Sequence, residues 1–448
     1  MAILLSNISL KTSLQNLFTT SNQNPNTPLV FKKSSTGQNR ILIVGGGLGG
    51  LALAQGLKRA RPPVPFHIFE RDSSADFRPQ GYRIRINPDG AGALHKLLPG
   101  HLWKAFEETC ALFNPAMSGL DAVTGQKPAP SGERRGPPPM LEGKYYNADR
   151  VVLRNVLLDG LEDDISFGKT FESYRITSDG VEVTFTDGTK ETGAFLVGAD
   201  GTRSHIRRQL MPNYNVLDTE CGAIYGKTFT YPETRASMAK EFFGGICLAG
   251  DSSKPGLKLF TDTMEFPQAL SVDERTKYRV PDDYVYWVLC INRTLLGFAA
   301  EDLHGLDATQ SVETTLEMTK NWHPTVRSLL QSQDPSASST LAFFASSPET
   351  FKREWDGLLR SPDVAAVTLL GDAAHPMTPI GGVGANSAFQ EAADLCSVVT
   401  CSSIGAETLK DYAKLMRERG EKTVGLSGGG AEHMFQMKPF SELKVASL

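Results

Sequence analysis

The chain has 448 residues and a formal net charge of −4, with 40% hydrophobic and 21% charged residues. Because one hydrophobic core stops growing at about 250–300 residues, this length predicts two closely joined domains. The slightly acidic balance, with a sequence pI of about 6.1 and a mean hydropathy of −0.22, argues against nucleic acid or an anionic membrane surface as a partner.

The sequence also argues against a membrane span and a disulfide framework. No apolar run reaches the roughly 18–20 residues that are needed to cross a bilayer. The six cysteines are scattered without a CxxC pair, which is typical of reduced thiols. We therefore expect a cytoplasmic location and no bound metal.

Residues 1–39 differ in composition from the rest of the chain. They contain no Asp or Glu and are rich in Ser, Thr and Asn. This composition predicts a disordered extension. It also overlaps with organellar transit peptides, although an arginine-rich amphipathic helix is lacking, so targeting is the alternative interpretation.

The first ordered elements are predicted to be a strand, a helix and a second strand. The apolar run Ile41–Val44 has the β-branched content of a buried parallel strand. Apolar residues then recur at helical spacing until Pro62 and Pro63, and Phe66–Phe69 is a second apolar run. Two parallel strands joined by a helix form a βαβ unit.

The turn between the first strand and the helix carries a dinucleotide fingerprint. Gly45, Gly47 and Gly50 have the GxGxxG spacing, and Glu70 follows the second strand. Glycines allow the backbone to approach a pyrophosphate at the helix N-terminus, and the acid accepts hydrogen bonds from a ribose. This combination predicts a bound dinucleotide.

Helical and strand patterns alternate over the next part of the chain. Residues 91–125 are predicted to be helical and loop-like, and Lys127–Met140 is a proline- and glycine-rich surface insertion. Asp149–Leu161 has apolar residues at helical spacing. The alternation at Val181–Phe185 predicts a hairpin whose returning strand is Ala194–Val197.

Residues 212–360 differ from the preceding residues in their sequence pattern and are interpreted as a second domain. Aromatic, alternating segments such as Ala223–Tyr231 and Tyr284–Ile291 predict an antiparallel sheet with one covered face. The chain then returns to the first domain through an apolar run at Val367–Leu370.

The segment Gly371–Asn386, GDAAHPMTPIGGVGAN, follows that run directly. Asp372 at a strand end could hold the sugar-like ribityl chain of a flavin. The Gly381–Gly384 backbone then begins a helix, whose free N–H groups would stabilise the negative edge of a reduced flavin. NAD offers no such group, so the segment predicts FAD.

Three motifs together resemble the class A flavoprotein monooxygenases, the family of para-hydroxybenzoate hydroxylase, salicylate hydroxylase and zeaxanthin epoxidase. They are the glycine fingerprint with Glu70, Gly198–Arg207 (GADGTRSHIR) and Gly371–Asn386. The third motif usually has glutamine where Val383 stands, but only the backbone is presented there. The resemblance spans residues 40–400.

This resemblance implies an α/β fold with a Rossmann-like FAD-binding domain and an inserted antiparallel-sheet substrate domain, as in para-hydroxybenzoate hydroxylase. The FAD-binding domain would comprise residues 40–211 and 361–425. The substrate domain would comprise residues 212–360, and residues 426–448 would form a C-terminal tail.

The predicted contacts to FAD come from all three motifs and from two further segments. They are Gly45, Gly47, Gly50, Glu70, Arg71, Arg83, Arg150, Asp200, Asp372, Gly382, Gly384 and Ala385. Arg150 matches the family's FAD-contacting arginine, or is an ordinary arginine at a helix start. Asp200 matches a motif tied to both FAD and the pyridine nucleotide, or belongs to a turn in which Ser204 caps the next helix.

Four residues are predicted to act in catalysis: Arg83, Tyr225, Lys227 and Pro379. Arg83 or Arg85 could contact flavin or an acidic substrate, or form a structural ion pair. Tyr225 and Lys227 share one face of a strand, which points into the substrate cavity or packs on the core. Pro379 fixes the chain direction before the flavin-facing turn.

The function implied by the resemblance is that of a monooxygenase with noncovalent FAD, which consumes NADH or NADPH and O2. It would hydroxylate or epoxidise an aromatic or polyene-like small molecule through a flavin C4a-hydroperoxide. The alternatives are a flavin-dependent halogenase, whose WxWxI-type motif is absent from this sequence, and a non-catalytic binder of the same fold.

Two further patterns are interpreted as structural. Gly425–Gly429 fits the GxSxG pattern of a hydrolase nucleophile elbow, but it follows a helical segment and not a strand. His375 is expected to brace its own loop through hydrogen bonds.

Overall fold

The computed structural model describes residues 40–75, 82–128, 140–298, 303, 305–401 and 406–447. The expectations for residues 1–39 and for most of the Lys127–Met140 insertion lie outside these residues. Within them, no helix has both the length and the apolar character that a membrane span requires.

The described part of the chain contains strands of two to thirteen residues. They are β1 (Ile41–Val44), β2 (Phe66–Phe69), β3 (Arg83–Ile86), β4 (Met117–Asp121), β5 (Tyr146–Asp149), β6 (Ile165–Ser166), β7 (Phe171–Thr177), β8 (Gly180–Phe185), β9 (Lys190–Gly193), β10 (Phe195–Gly198), β11 (Leu217–Phe229), β12 (Ile246–Gly250), β13 (Leu257–Met264), β14 (Tyr284–Asn292), β15 (Ser339–Ala345), β16 (Val367–Leu369) and β17 (Lys444–Val445).

The α-helices range from one turn to thirty residues. They are α1 (Leu48–Arg59), α2 (Pro88–Leu97), α3 (Gly100–Thr109), α4 (Arg150–Leu158), α5 (His205–Leu210), α6 (Pro232–Ser237), α7 (Val272–Tyr278), α8 (Arg293–Leu296), α9 (Ala308–Met318), α10 (Pro324–Gln331), α11 (Pro348–Leu358), α12 (Val383–Cys401) and α13 (Ala406–Phe435).

The first domain is built around a parallel five-stranded sheet with the order β16–β10–β1–β2–β6. β1 and β2 are joined through α1, which buries Leu51, Ala54 and Leu57, so the predicted βαβ unit is confirmed. Because β1, β10 and β16 are adjacent and parallel, their carboxyl ends lie at one edge. The three sequence motifs follow these ends, which is where ligands bind in open α/β sheets.

The second sheet has the order β15–β11–β14–β13–β12–β4, with β17 on β11. β11, β13, β14 and β15 pair in antiparallel fashion, as predicted. However, both faces of this sheet are covered, whereas the sequence predicted that only one would be. Ala223 and Tyr225 on β11 belong to a core shared with the first domain, whereas Ile224 packs in a second core with Val326 and Leu329 of α10.

Two local predictions were wrong, and long-range pairing explains both. Met117–Asp121, in a region predicted to be helical and loop-like, is an edge strand that pairs in parallel with β12. The hairpin partner of β8 is the polar segment Lys190–Gly193, and not Ala194–Val197. The fully buried run Phe195–Gly198 instead pairs with β1 in the first sheet.

The C-terminal part of the chain is tied to both domains. The predicted start of a tail at residue 426 falls inside α13, so the helix crosses that boundary. Beyond the helix, Lys444 and Val445 pair with the beginning of β11. These residues therefore connect the first domain to the second sheet.

Candidate functional site

The glycine fingerprint forms a tight turn with one open position. Gly45 has φ +116°, and a Cβ atom there would lie 2.1 Å from the Ala199 carbonyl oxygen; one on Gly50 would lie 2.2 Å from the Gly45 carbonyl oxygen. A Cβ on Gly47 would meet no heavy atom within 4 Å. Gly47 is the N-cap of α1 and provides no side-chain cap. This open helix N-terminus fits the pyrophosphate of a dinucleotide.

Glu70 lies directly beside this turn, at the end of β2. The Gly46 N–H donates to Glu70 Oε2 at 2.6 Å, and the Asp72 N–H donates to Oε1 at 3.0 Å. The carboxylate is buried and held in place by the backbone. Arg71 is exposed, and its charge contributes, after burial and the charge of Arg208, to lowering the pKa of His205 on α5.

Asp200, after β10, is engaged in capping α5. Its Oδ1 accepts a hydrogen bond from the Ser204 hydroxyl at 2.5 Å, and its Oδ2 accepts one from the His205 N–H at 2.8 Å. Ser204 itself accepts from the Arg207 N–H. The capping role of Ser204 is therefore present, and Asp200 supports it just beyond the carboxyl end of β10.

Arg207, the last residue of the second motif, joins that motif to the third. Its buried guanidinium donates to the carbonyl oxygens of Asp372 (3.2 Å) and Ala373 (2.9 Å) through Nη1, and to that of Thr202 (2.6 Å) through Nη2. The sequence reasoning gave Arg207 no role, although the quoted motif ends on it. Its function here is to hold the loop that carries Asp372.

Asp372 lies in the short turn Gly371–Ala373 after β16. Its side chain is exposed, with Thr202 Oγ1 at 3.4 Å from Oδ2, yet the surrounding protein removes enough water to raise the pKa of its carboxyl group. A Cβ on Gly384 would lie 4.0 Å from Asp372 Oδ1. The acid therefore faces the beginning of α12.

The turn before α12 leaves its backbone exposed. Gly381 (φ +80°) and Gly382 (φ +62°) adopt left-handed conformations that favour glycine, and both are exposed. Pro379 is exposed at the start of the same turn, and Gly384 and Ala385 are half-buried in the first turn of the helix. The geometry suits backbone N–H groups that face a ligand.

Glu391 on α12 fixes this loop through two contacts. Glu391 accepts a hydrogen bond from the Gly371 N–H at 2.9 Å and lies 2.5 Å from His375 Nε2. His375 thus braces its own loop, as predicted, through a hydrogen bond to Glu391 on the helix. Burial alone would lower the pKa of His375, but the charges of Glu391 and Asp372 raise it above its ordinary value.

Asn386, whose role the sequence did not indicate, connects the loop to β3 and α2. Its Nδ2 donates to the carbonyl oxygens of Gly382 (2.6 Å) and Arg85 (2.9 Å), and its Oδ1 accepts from the Asn87 N–H at 2.9 Å. A Cβ on Gly90 would lie 2.1 Å from this Oδ1. The close approach leaves room only for glycine there.

Arg83 and Arg85 share one buried carboxylate. Their Nη2 atoms lie 2.6 Å and 2.9 Å from Asp262 Oδ2 on β13, and Asp262 is 1% exposed. Arg83 also lies over the ring of Phe260, 5.1 Å from its centroid. Burial and the charge of Arg83 lower the pKa of Arg85 to about 10. The predicted structural ion pair is therefore present, and it links the two domains.

The predicted substrate-side residues lie on one face of β11, toward the shared core. Lys227 Nζ pairs with the buried Asp149 Oδ2 at 2.6 Å, and the Tyr284 hydroxyl donates to the same oxygen. The Tyr225 ring lies 5.5 Å from that of Tyr82. Lys227 is thus an ion-pair partner. Tyr225 is buried in the shared core and belongs, with Tyr82 and Tyr286, to a group of rings that is called the aromatic surface below.

Arg150 completes this surface from the first domain. Its guanidinium lies 5.4 Å from the Tyr82 ring centroid, and its N–H donates to the Tyr82 carbonyl oxygen at 3.0 Å. The position, at the first residue of α4 and half-buried, is compatible with both interpretations of this arginine.

A cavity of about 550 Å³ opens on the same face of the second sheet. Leu248 and Lys258 line it, and His433 and Met434 at the end of α13 form its wall. No predicted site residue contributes to this lining, so the motifs and the aromatic surface define the candidate site.

Comparisons with known proteins agree with this geometry. A family model described as an FAD binding domain matches residues 359–426, which contain Asp372 and the start of α12. The chain is 35% identical, over 91% of its length, to the dual O-methyltransferase/FAD-dependent monooxygenase elcB of Phaeosphaeria nodorum, and it covers 47% of that protein. It is 29% identical to the FAD-dependent monooxygenase thnD of Trichoderma harzianum, covering 86% of this chain and 91% of thnD.

The fold is shared with solved structures. Klebsiella pneumoniae HpxO, in complex with FAD and uric acid, superimposes with a TM-score of 0.67 at 19% identity, over 90% of both chains. The chain spans about half the length of dual-function relatives such as elcB.

Proposed function

We propose that this chain, which is similar to FAD-dependent monooxygenases such as thnD and matches an FAD binding domain model, is a class A flavoprotein monooxygenase that uses NAD(P)H and O2 to hydroxylate or epoxidise an aromatic or polyene-like small molecule. The observation that carries this proposal is the convergence of three motifs at one sheet edge. Arg207, from the second motif, holds the main chain of the third beside Asp372.

Two groups of residues would hold the two ends of FAD. The Gly47 turn and the buried Glu70 would hold the pyrophosphate and the adenosine ribose. Asp372 and the helix start at Gly382–Ala385 would hold the ribityl chain and the flavin edge. When bound, the flavin supplies the redox chemistry with NAD(P)H and O2, and the protein supplies position, dipoles and exclusion of water.

The aromatic surface supports a flat, apolar substrate. Tyr225 packs near both Tyr82 and Tyr286, and Phe260 lies edge-on to Tyr286. Aromatic side chains favour offset-stacked or edge-on contacts with other rings. The related fold of HpxO is known with uric acid, which is also a planar ring. We propose that Tyr225 contacts the substrate.

The other predicted catalytic residues take different roles in this proposal. Arg83 and Lys227 are each held by a buried carboxylate, Asp262 and Asp149, and would shape the wall of the substrate pocket. Pro379 would set the course of the loop that faces the flavin.

The test is a panel of phenols, fused aromatic rings and polyenes, incubated with the FAD-loaded protein, NADH or NADPH, and ¹⁸O₂. We expect one class to accelerate NAD(P)H oxidation and to gain a single ¹⁸O atom. A halogenated product that forms only with added halide would instead identify a halogenase. A folded protein that binds FAD but oxidises no NAD(P)H with any compound would indicate a non-catalytic binder.

A further inference from the structure

The glycine-rich stretch Gly425–Gly430 (GLSGGG) lies in the interior of α13, a helix of 30 residues. Glycine is unfavourable within helices because it gives up more backbone freedom than any other residue. Its concentration at one place calls for a packing reason. The hydrolase motif that the stretch resembles is not that reason, since Ser427 is on a helix and buried.

The contacts of these glycines are unequal. A Cβ on Gly430 would lie 2.5 Å from Ile380 Cγ2, and one on Gly428 would lie 2.4 Å from the Phe440 ring. A Cβ on Gly429, between them, would meet no heavy atom within 4 Å. Gly430 therefore allows α13 to approach the loop Thr378–Gly384, which is proposed to face the flavin. Gly429 makes no such close approach.

Ser427 makes a reciprocal contact with the same loop. Its hydroxyl donates to the Thr378 carbonyl oxygen at 2.8 Å, and the Thr378 hydroxyl donates to the Ser427 carbonyl oxygen at 3.0 Å. The two hydroxyl oxygens are 2.7 Å apart, and both side chains are 1% exposed. Buried hydroxyls need such partners, so this geometry is strongly specified.

The two contacts flank one residue of the loop. Thr378 is bonded to Ser427 and Ile380 packs on Gly430, and Pro379 lies between them, just before the left-handed Gly381 and Gly382. We propose that Ser427 and Gly430 are positioning residues, which set the place of the Pro379–Gly384 backbone against the flavin. Any contribution of Ser427 and Gly430 to oxygen transfer rests on the proposed function.

The experiment compares Gly430→Ala with Gly429→Ala, the same substitution one residue apart. In the FAD-free proteins, amide hydrogen exchange of residues 376–384 should speed up about tenfold in Gly430→Ala and stay at the wild-type rate in Gly429→Ala. The Kd for FAD should rise about tenfold only in Gly430→Ala, which is the scale of one lost hydrogen bond. Product formed per NAD(P)H consumed should fall in the same variant.

Two further variants keep the test decisive. Ile380→Ala, added to Gly430→Ala, removes the Cγ2 atom that the new methyl group meets and should restore slow exchange of the loop. Ser427→Ala should loosen the same residues even if Gly430→Ala does not fold. Exchange and FAD affinity equal to those of Gly429→Ala in both Gly430→Ala and Ser427→Ala would overturn the proposal. A wild type without NAD(P)H oxidation would refute the proposed function alone, because exchange and FAD binding would still measure the positioning.

Discussion

Glu70 and Asp372 stand at the two ends of the proposed FAD cleft, and the protein holds them differently. Glu70 is buried and receives two backbone N–H groups, whereas Asp372 is exposed to the cleft near Thr202. Each carboxylate would accept a charge-assisted hydrogen bond from a cofactor hydroxyl, and such a bond is worth about 1.5–3 kcal/mol.

We expect Glu70→Gln and Asp372→Asn each to weaken FAD binding by roughly tenfold to a hundredfold, because each removes the charge and keeps the shape. Fluorescence titration of the FAD-free protein measures the Kd. Glu233→Gln, an exposed acid on α6, is the matched control. Wild-type affinity in both cleft variants would place the cofactor elsewhere.

The His375–Glu391 pair makes stability depend on pH. The pKa of His375 is raised above its ordinary value, so the folded state favours the protonated ring. This contribution is fully present below the unfolded pKa of about 6.5 and is lost as the pH rises through the folded pKa.

The free energy of unfolding should therefore decrease as the pH rises above about 6.5, and His375→Gln should flatten that decrease. Urea unfolding of the FAD-free protein at several pH values in this window gives the measurement. An equally steep decrease in the variant would assign the effect to another group.

At the scale of elements, the turn from β1 to α1 separates a structural glycine from a ligand-facing one. Gly45 has a left-handed φ and is packed on the Ala199 carbonyl, whereas Gly47 has φ −76° and faces open space. We expect Gly45→Ala to destabilise the fold strongly. Gly47→Ala should leave the unfolding free energy of the FAD-free protein within about 1 kcal/mol but weaken FAD binding.

Thermal unfolding and FAD titration of the two variants check this contrast. The diagnostic result is loss of affinity in Gly47→Ala with an unchanged melting temperature. If Gly47→Ala bound FAD normally, the N-terminus of α1 would not be the pyrophosphate cradle.

Elements that are specified by local sequence were predictable, and those specified by distant partners were not. β1, β2 and β16 are short apolar runs bounded by glycine or acid, and the structure has them where the sequence puts them. β4 (MSGLD) has little alternation and exists because β12 offers an edge. The swap between Lys190–Gly193 and Phe195–Gly198 likewise depends on β1, about 150 residues earlier in the chain.

The site divides in the same way. Acids and glycines at strand ends form a local sequence pattern, so Asp372 and the Gly381–Gly384 turn could be proposed from the sequence as candidate flavin contacts. Asp262 gave no local signal, because its partner Arg83 is 179 positions away. Ser427 and Thr378, 49 positions apart, are identifiable as a pair only once α13 is packed on the loop.

At the scale of the whole molecule, the two domains share one hydrophobic core and are joined by buried ion pairs. Residues of β1 and of β11 belong to the same core. Arg83 and Arg85 on β3 meet Asp262 on β13, and Lys227 on β11 meets Asp149 on β5. We therefore expect the domains to unfold in one transition rather than separately.

Asp262→Asn tests this coupling, because it leaves two adjacent arginines at a buried position without a carboxylate. Loss of one partner of a buried ion pair typically costs about 3–5 kcal/mol. Asp164→Asn is the matched control: Asp164 pairs with Lys58 at 2.7 Å, but these side chains are 30% and 48% exposed, and such pairs contribute about 0–1 kcal/mol. Urea unfolding should give a far lower midpoint for Asp262→Asn, followed by fluorescence and by circular dichroism in a single transition. Equal midpoints for the two variants would mean that water screens the arginines at the domain junction, and two separate transitions would mean that the shared core does not couple the domains.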